Sequence, residues 1–333
     1  DGQVSSTSMP SKMKAFIYSS KSFFSKTEFA FVDDLKVPSP TRKGDLLVKV
    51  SGVTINPIDY KLCGFPFVST YLRGRPVAMD FCGTVVSTFE GSRFKRGDQV
   101  FGSTFSGTLA EYTLASEDKV ALKPEKLSPE ATAGLVCAGL TSYQSLFTTG
   151  GLQAGQNVTI IGGSGGCGSL AIQMAKAAGA GKISTVCSSR NVQMVKDLGA
   201  DVVVTYDTQP EGWALSSFID PKSQHLVYDT VTSPDDFNYE PLARPVLQDQ
   251  ALYVGINSPN AIDWIRAVTR MPRTSHRLVM MDANSKDLEQ LAKWADEGKL
   301  TVPVEETLTF SEDACRSAFE KLKSRRTKGK ICI

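Results

Sequence analysis

The segment Val158-Thr159-Ile160-Ile161 runs straight into Gly162-Gly163-Ser164-Gly165-Gly166-Cys167-Gly168. The short apolar, β-branched run predicts a strand, and the spacing of apolar residues over Ser169–Ala178 predicts a helix directly after the loop. Strand, glycine loop and helix in that order suit a bound pyrophosphate. Glycines let the backbone turn tightly and approach the phosphates, and the helix N-terminus offers free N–H groups and a positive dipole end. The candidate cofactor contacts are therefore Gly163, Ser164, Gly165, Gly166, Cys167 and Gly168. The plainer alternative is a glycine turn that only packs a helix onto a strand.

The next segment bears on which dinucleotide. A second strand over Lys182–Cys187 ends in Ser188-Ser189-Arg190-Asn191. An NAD enzyme places Asp or Glu about 20 residues beyond the glycines to hold the ribose 2′-OH. No acid stands there in this chain. Ser188, Ser189 and Arg190 instead suit a 2′-phosphate, which Arg binds through charge-assisted hydrogen bonds. The expected cofactor is NADPH. The alternative is that Ser189 caps a helix over Asn191–Leu198 while Arg190 is solvated.

The 333 residues are enough for two domains. A net charge of +2 spread along the chain leaves no basic stripe for nucleic acid. No apolar run reaches the roughly 18 residues of a spanning helix. Asp1 to Lys12 is polar and lacks the apolar core of a secretory signal, so a flexible tail is expected there, with Met9 and Met13 as candidate starts. The seven cysteines are odd in number and form no CxxC pair. That pattern suits a reducing compartment, read as cytoplasmic. His225 and His276 lie near no other ligand cluster, so no metal site is expected.

Residues 13–138 read as mostly β, with strands suggested at Lys14–Tyr18, Leu46–Val53, Gly83–Thr88, Gln99–Gly102, Leu109–Leu114 and Val120–Lys123, and a helix from Ser128 through Ala138. Residues 139–285 alternate strand and helix, with parallel strands at Val158–Ile161, Ile183–Val186, Val202–Thr205, Leu226–Asp229 and Ala251–Gly255. Residues 286–333 hold helices over Lys286–Glu297 and Ser311–Lys323, β character at Val302–Phe310, and a final apolar strand that rejoins the first domain. The fold class is α/β: a β-rich Greek-key barrel or sandwich beside a doubly wound domain with a parallel sheet.

Four blocks carry a resemblance. They are Asn56-Pro57-Ile58-Asp59, Gly97-Asp98-Gln99-Val100-Phe101-Gly102, Ala138-Gly139-Leu140-Thr141-Ser142-Tyr143, and the glycine loop with Leu198-Gly199-Ala200-Asp201 after it. In that order and spacing the chain resembles medium-chain dehydrogenases/reductases, specifically the zinc-free quinone oxidoreductase branch with its zeta-crystallin-like and alkenal or enone reductases. The resemblance covers Met13 to Ile333 and implies a GroES-like catalytic domain, a Rossmann domain and a homodimer through the sheet edge. Zinc alcohol dehydrogenases carry a cysteine where this chain has Asn56, a Gly-His-Glu near Met79-Asp80-Phe81, and a four-cysteine lobe absent here. Asp80 and Cys82 alone do not make a tetrahedral site.

The reaction so implied is reduction of a quinone or of an α,β-unsaturated carbonyl by NADPH without metal. The cofactor carries the hydride step, and the protein orients the acceptor and stabilises charge growing on its oxygen. The resemblance places Asn56 at the nicotinamide, where its amide could donate to a carbonyl or to the ribose. Asn-Pro is also an ordinary turn pair. Tyr60 and Lys61 are candidate proton donors, with packing and solvation as their plainer roles and water as a substitute. The resemblance puts Thr141 beside nicotinamide or phosphate, and Tyr206 at the adenosine end. Gly255, Ile256 and Asn257 follow the fifth parallel strand, at the sheet edge where cofactors bind. Phe65, Phe67, Tyr71 and Trp264 are candidates to line an apolar substrate pocket. A competing reading is an NADPH-binding protein of the same fold with a structural or regulatory role and little turnover.

Overall fold

The computed structural model describes residues 9–19, 28–64, 71–232, 237–258, 261–269, 271 and 275–333. Most of the expected tail, and Phe65 and Phe67, lie outside the described residues. Lys12 already belongs to the first strand. An antiparallel ribbon, β1 (Lys12–Ser19) and β2 (Glu28–Lys36), comes first. β3 (Asp45–Thr54) follows, then the single-turn α1 (Pro57–Lys61) and the strands β4 (Asp80–Thr88), β5 (Gln99–Ser103), β6 (Tyr112–Ser116) and β7 (Val120–Leu122).

The helix expected from Ser128 through Ala138 is two helices, α2 (Pro129–Gly134) and α3 (Cys137–Tyr143). Ser128 caps the first as expected, its hydroxyl accepting from Ala131 N–H at 3.2 Å. The break falls at Val136, whose backbone is not helical. It frees the Cys137 N–H at the start of α3, which donates to Asp80 Oδ2 at 3.1 Å. The interruption therefore serves a buried carboxylate of the barrel.

The alternating half is β8 (Val158–Ile161), α4 (Gly166–Ala177), β9 (Ile183–Cys187), α5 (Val192–Leu198), β10 (Val202–Thr205), β11 (Gln224–Asp229), α6 (Glu240–Ala243), β12 (Leu247–Gly255), α7 (Ala261–Thr269) and β13 (His276–Leu278). These six strands form one parallel sheet in the order β10-β9-β8-β11-β12-β13. Counted from β8 that order is 3-2-1-4-5-6, the doubly wound arrangement, with its switch point between β8 and β11. β8 is wholly buried, as a strand covered on both faces must be. β13 is a short edge strand the sequence pattern did not reveal.

The chain then returns to the barrel through α8 (Ser285–Asp296), β14 (Val304–Thr307), α9 (Glu312–Lys323) and β15 (Lys330–Cys332). β14 pairs with β15, and β15 meets β3 at Cys332 and Thr54, in the sheet order β14-β15-β3-β4-β5-β7 with β6 also on β3. One apolar core runs across both halves. It joins Cys82 and Phe101 of the barrel to Leu135, Val136 and Leu140 of the α2–α3 segment and to Ile160, Leu170 and Tyr228 of the parallel domain. Burying each such leucine or isoleucine stabilises by about 1.5–3 kcal/mol, so the two halves are packed together.

Candidate active site

The glycine loop folds as a tight anion cradle. Gly162 takes φ +85°, a left-handed conformation that favours glycine. Gly162 N–H and Gly163 N–H both donate to Val186 O, at 2.9 and 3.1 Å, pinning the loop to β9. A Cβ on Gly163 would stand 2.0 Å from Thr185 Oγ1, and one on Gly168 would stand 2.2 Å from Gly162 O. These two glycines permit close packing of loop, strand and helix. Gly165 differs, because its added Cβ would meet only Gly162 O at 3.5 Å.

The helix α4 starts at Gly166, three residues before the expected Ser169, so Gly166, Cys167 and Gly168 form its first turn. Glycine is a weak helix former, which concealed this from the pattern. The first N–H groups of that turn have no intrahelical acceptor and can take a phosphate. The Gly165 N–H is spent within the loop, donating to Gly162 O at 3.0 Å, so the donors that could meet a dinucleotide phosphate are the N–H groups of Gly166, Cys167 and Gly168. Ser142 Oγ donates to Cys167 O at 2.9 Å and tethers α3 to the loop.

The ribose end lies where β9 stops. Ser188 is buried and Ser189 and Arg190 are exposed. Asn191 bridges the two parts of the site, its Nδ2 donating to Ser164 Oγ at 2.9 Å and to Ser188 Oγ at 3.1 Å. Its Oδ1 is buried without a partner among the described residues. Ser189 does not stand free. Its N–H and hydroxyl donate to Asp207 Oδ1 and Oδ2, at 2.8 and 2.9 Å. Those bonds, the backbone one first, hold the Asp207 carboxyl below the ordinary range. An acid is therefore present at the ribose end, delivered by the turn after β10 rather than by β9. Tyr206, in the same turn, is exposed. Arg190 Nη2 donates to Arg326 O at 3.2 Å.

In the barrel half, Asn56 sits at the N-terminus of α1 and is only 5% exposed. Asp59 reaches back to accept from Asn56 N–H at 2.6 Å, the acidic half of a capping box. The Asn56 side chain has two charged partners. Its Nδ2 donates to Asp80 Oδ2 at 2.8 Å, and its Oδ1 accepts from Lys330 Nζ at 2.6 Å. Lys330 Nζ also donates to Ile55 O at 3.4 Å. Asp80 Oδ2 accepts further from Thr54 Oγ1 and Cys137 N–H. Two carboxyls, an ammonium and an amide thus share one buried cluster. Burial pushes the Asp59 carboxyl up to about 8, opposed by the Asn56 N–H bond. Burial also raises Asp80, opposed chiefly by the Lys330 charge. Asp59 Oδ1 and Asp80 Oδ1 have no partner among the described residues.

The other expected residues fall as follows. Tyr60 is half-buried and packs on the apolar cluster of Phe16, Ile55 and Phe319. Lys61 is half-buried in the last turn of α1. Thr141 is buried in α3. Gly255 ends β12, Ile256 N–H donates to Asp229 O, and Asn257 Oδ1 accepts from Ser258 N–H. Tyr71 is largely exposed under Arg75, whose guanidinium lies 4.1 Å from its ring centre. Trp264 is partly exposed on α7, its Nε1 donating to Ser258 O.

The sequence reading passed over Asp59, Lys330, Asn191 and Asp207, and weighed Asp80 only as a metal ligand. The acid three residues after Asn56 was a usable capping signal. Lys330 gave none, being one lysine in a basic C-terminal stretch. Among the described residues no group of three His, Cys, Asp or Glu side chains could hold a metal ion. Nor is any described helix long and apolar enough to cross a membrane.

Known proteins share this architecture. The alcohol dehydrogenase GroES-like domain family matches residues 42–125, and the family described as zinc-binding dehydrogenase matches residues 198–333. A trans-enoyl reductase of Aspergillus terreus, pgmF, is 32% identical, covering 98% of this chain and 97% of its own. A 2-methylene-furan-3-one reductase of Solanum lycopersicum is also 32% identical, over 98% of this chain and 80% of its own. The solved quinone oxidoreductase from Coxiella burnetii superposes with a TM-score of 0.77 at 28% identity, covering 96% of this chain and 98% of its own. With its doubly wound nicotinamide-dinucleotide domain and its barrel, this chain is an oxidoreductase and belongs to the quinone oxidoreductase family of medium-chain dehydrogenases/reductases.

Proposed function

We propose that this protein uses NADPH to reduce a quinone or an α,β-unsaturated carbonyl without a metal ion. The observation that carries the reading is the buried Asn56 amide. Its oxygen is taken by Lys330 and one N–H by Asp80, which leaves a single N–H for a ligand. A donor fixed in advance can stabilise an oxyanion without reorganising, which is the task of such a reductase. The names of the similar reductases support the same substrate classes. The exposed Arg190 supports the 2′-phosphate, while both donors of Ser189 are held by Asp207.

When bound, the nicotinamide supplies the hydride. The chain does the rest. Gly166, Cys167 and Gly168 would hold the phosphates through the free N–H groups of the first helical turn. Asn56 donates to the acceptor oxygen as charge builds there. Water, Tyr60 or Lys61 supplies the balancing proton, to the α-carbon of an enone or to the oxygen of a quinone. A homodimer would use the open edge of β13, which pairs only with β12 among the described strands.

The test is turnover of quinones, alkenals, enones and enoyl thioesters with NADPH and with NADH. Reduction of at least one class, faster with NADPH, is expected. Tight NADPH binding with no turnover across the panel would overturn the reductase reading in favour of a binding role.

A further inference from the structure

We propose that Lys330 is the positioning residue of this site: its ammonium fixes the orientation of the Asn56 amide and so decides which atom Asn56 presents to substrate. The proposal rests on the reductase reading above. An asparagine amide is nearly symmetric in shape, and a half-turn exchanges a donor for an acceptor at almost no steric cost. Here both ends are wired by charge. Lys330 has donors only and holds Oδ1 at 2.6 Å. The Asp80 carboxylate accepts, and holds Nδ2 at 2.8 Å. A half-turn would set NH₂ against the ammonium and the carbonyl against the carboxylate.

Without Lys330, Oδ1 loses its partner and the amide is held by Asp80 alone. The Lys330 charge also faces the buried Asp80 carboxyl, so the ammonium serves the carboxyl and the amide together. Lys330 is 5% exposed on a strand whose neighbours Ile331 and Cys332 are buried apolar residues. A buried ammonium is costly unless its partners repay it, and such groups are best explained by the specificity they confer.

The same strand also sets the distance from the amide to the cofactor loop. Gly329 N–H donates to Ser164 O at 2.9 Å, one residue before Lys330. The Lys330 stem lies against α4, so that a Cβ on Gly166 would come within 2.9 Å of its Cδ. Gly329 and Lys330, where the chain enters β15, therefore hold the phosphate loop and the substrate-side amide in one frame.

The experiment compares Lys330→Met, Lys330→Gln, Asn56→Ala and the double variant Lys330→Met/Asn56→Ala, each checked for folding by circular dichroism. Lys330→Met is expected to lower kcat on an enone about 10- to 100-fold, with NADPH Kd changed less than threefold. The double variant is expected to be no slower than Asn56→Ala alone, because Lys330 acts through Asn56. Full turnover in Lys330→Met alongside a slow Asn56→Ala would overturn the positioning role and leave the reductase reading intact. Losses that multiply in the double variant, or an NADPH Kd weakened in step with kcat, would also overturn it. If Lys330→Met does not fold, Lys330→Gln decides: a three- to tenfold loss is expected, and full turnover overturns the proposal. If the native protein reduces no acceptor, the reductase reading fails instead, and positioning is read from the Asn56 side-chain amide resonance, identified by its loss in Asn56→Ala. That resonance is expected to shift and lose exchange protection in the lysine variant, and an unchanged resonance overturns the proposal.

Discussion

The Asp207 carboxylate accepts both the N–H and the hydroxyl of Ser189, at 2.8 and 2.9 Å. A 2′-phosphate bound at Ser189 must therefore displace or sit beside an anion. Arg190 is the charge that offsets it. Removing Arg190 as Arg190→Ala is expected to weaken NADPH by about 1.5–3 kcal/mol, the scale of hydrogen bonds to charged groups, while NADH changes little. Removing the carboxylate as Asp207→Asn is expected to tighten NADPH severalfold and to leave NADH unchanged or weaker. Fluorescence titration of both cofactors measures this. Equal effects on the two cofactors would place both residues in the fold rather than in cofactor choice.

Asn56→Ala is expected to lower kcat by about 10²–10³, the cost of losing one preorganised donor. NADPH affinity should move less, because the phosphates are held by α4 and its loop. Both a quinone and an enone are worth measuring, since the enone acceptor depends more on oxyanion help. Unchanged kcat on both, in a folded variant, would leave Asn56-Pro57 as a structural turn.

Zinc is expected at well below one equivalent per chain by elemental analysis, and chelators should leave activity and Tm unchanged. The motivation is the ligand chemistry. Where a metal would need thiolate or imidazole, the barrel presents an amide, Asn56, and a carboxylate, Asp80, already bonded to each other. One tightly held zinc per chain would reverse the assignment.

Stability should fall as pH rises through the window set by Asp59. Its carboxyl ordinarily titrates near 3.8 and burial raises it to about 8 in the folded chain. Between those values the unfolded chain has released a proton that the folded chain still holds. The stabilisation is fully present below about pH 3.8 and is lost progressively toward pH 8. Each pH unit in that window is worth at most about 1.4 kcal/mol. Asp59→Asn keeps an acceptor for the Asn56 N–H and removes the proton. Denaturant midpoints of the two proteins should therefore shift in the variant's favour between pH 5 and pH 8. A difference that does not change with pH would show that Asp59 titrates normally.

What the sequence revealed and what it hid follow the range of the interactions. The strand Val158–Ile161 was legible because a strand covered on both faces is apolar throughout. The cap at Ser128 was legible because the signal is local. The link between Lys330 and Asn56 spans 274 residues and leaves no local trace. Asp207 was hidden because the sequence rule looks for an acid at the end of β9, whereas the fold brings one from the turn after β10. β2 was hidden by Asp33 and Asp34, whose charges suit an exposed ribbon but break the apolar alternation.

Gly165 separates the packing role of the loop from its binding role. Its φ of −79° and ψ of 175° are open to any residue, and an added Cβ meets only Gly162 O at 3.5 Å. At this helix-capping position glycine falls only a few tenths of a kcal/mol short of Ser, Asp or Asn, and Ala costs about 1 kcal/mol or less relative to it. Gly165→Ala should therefore fold with a Tm within a few degrees of the native protein. The new methyl group would stand on the open side of the cradle, where a pyrophosphate must approach the backbone N–H groups. NADPH and NADH are both expected to weaken at least tenfold, because the pyrophosphate is common to them. Gly163→Ala is the counterpart. Its Cβ would fall 2.0 Å from Thr185 Oγ1, which donates to Ile160 O, so it should lose stability as well as cofactor. Unaltered cofactor binding in a well-folded Gly165→Ala would mean that the phosphates do not lie against this face of the loop.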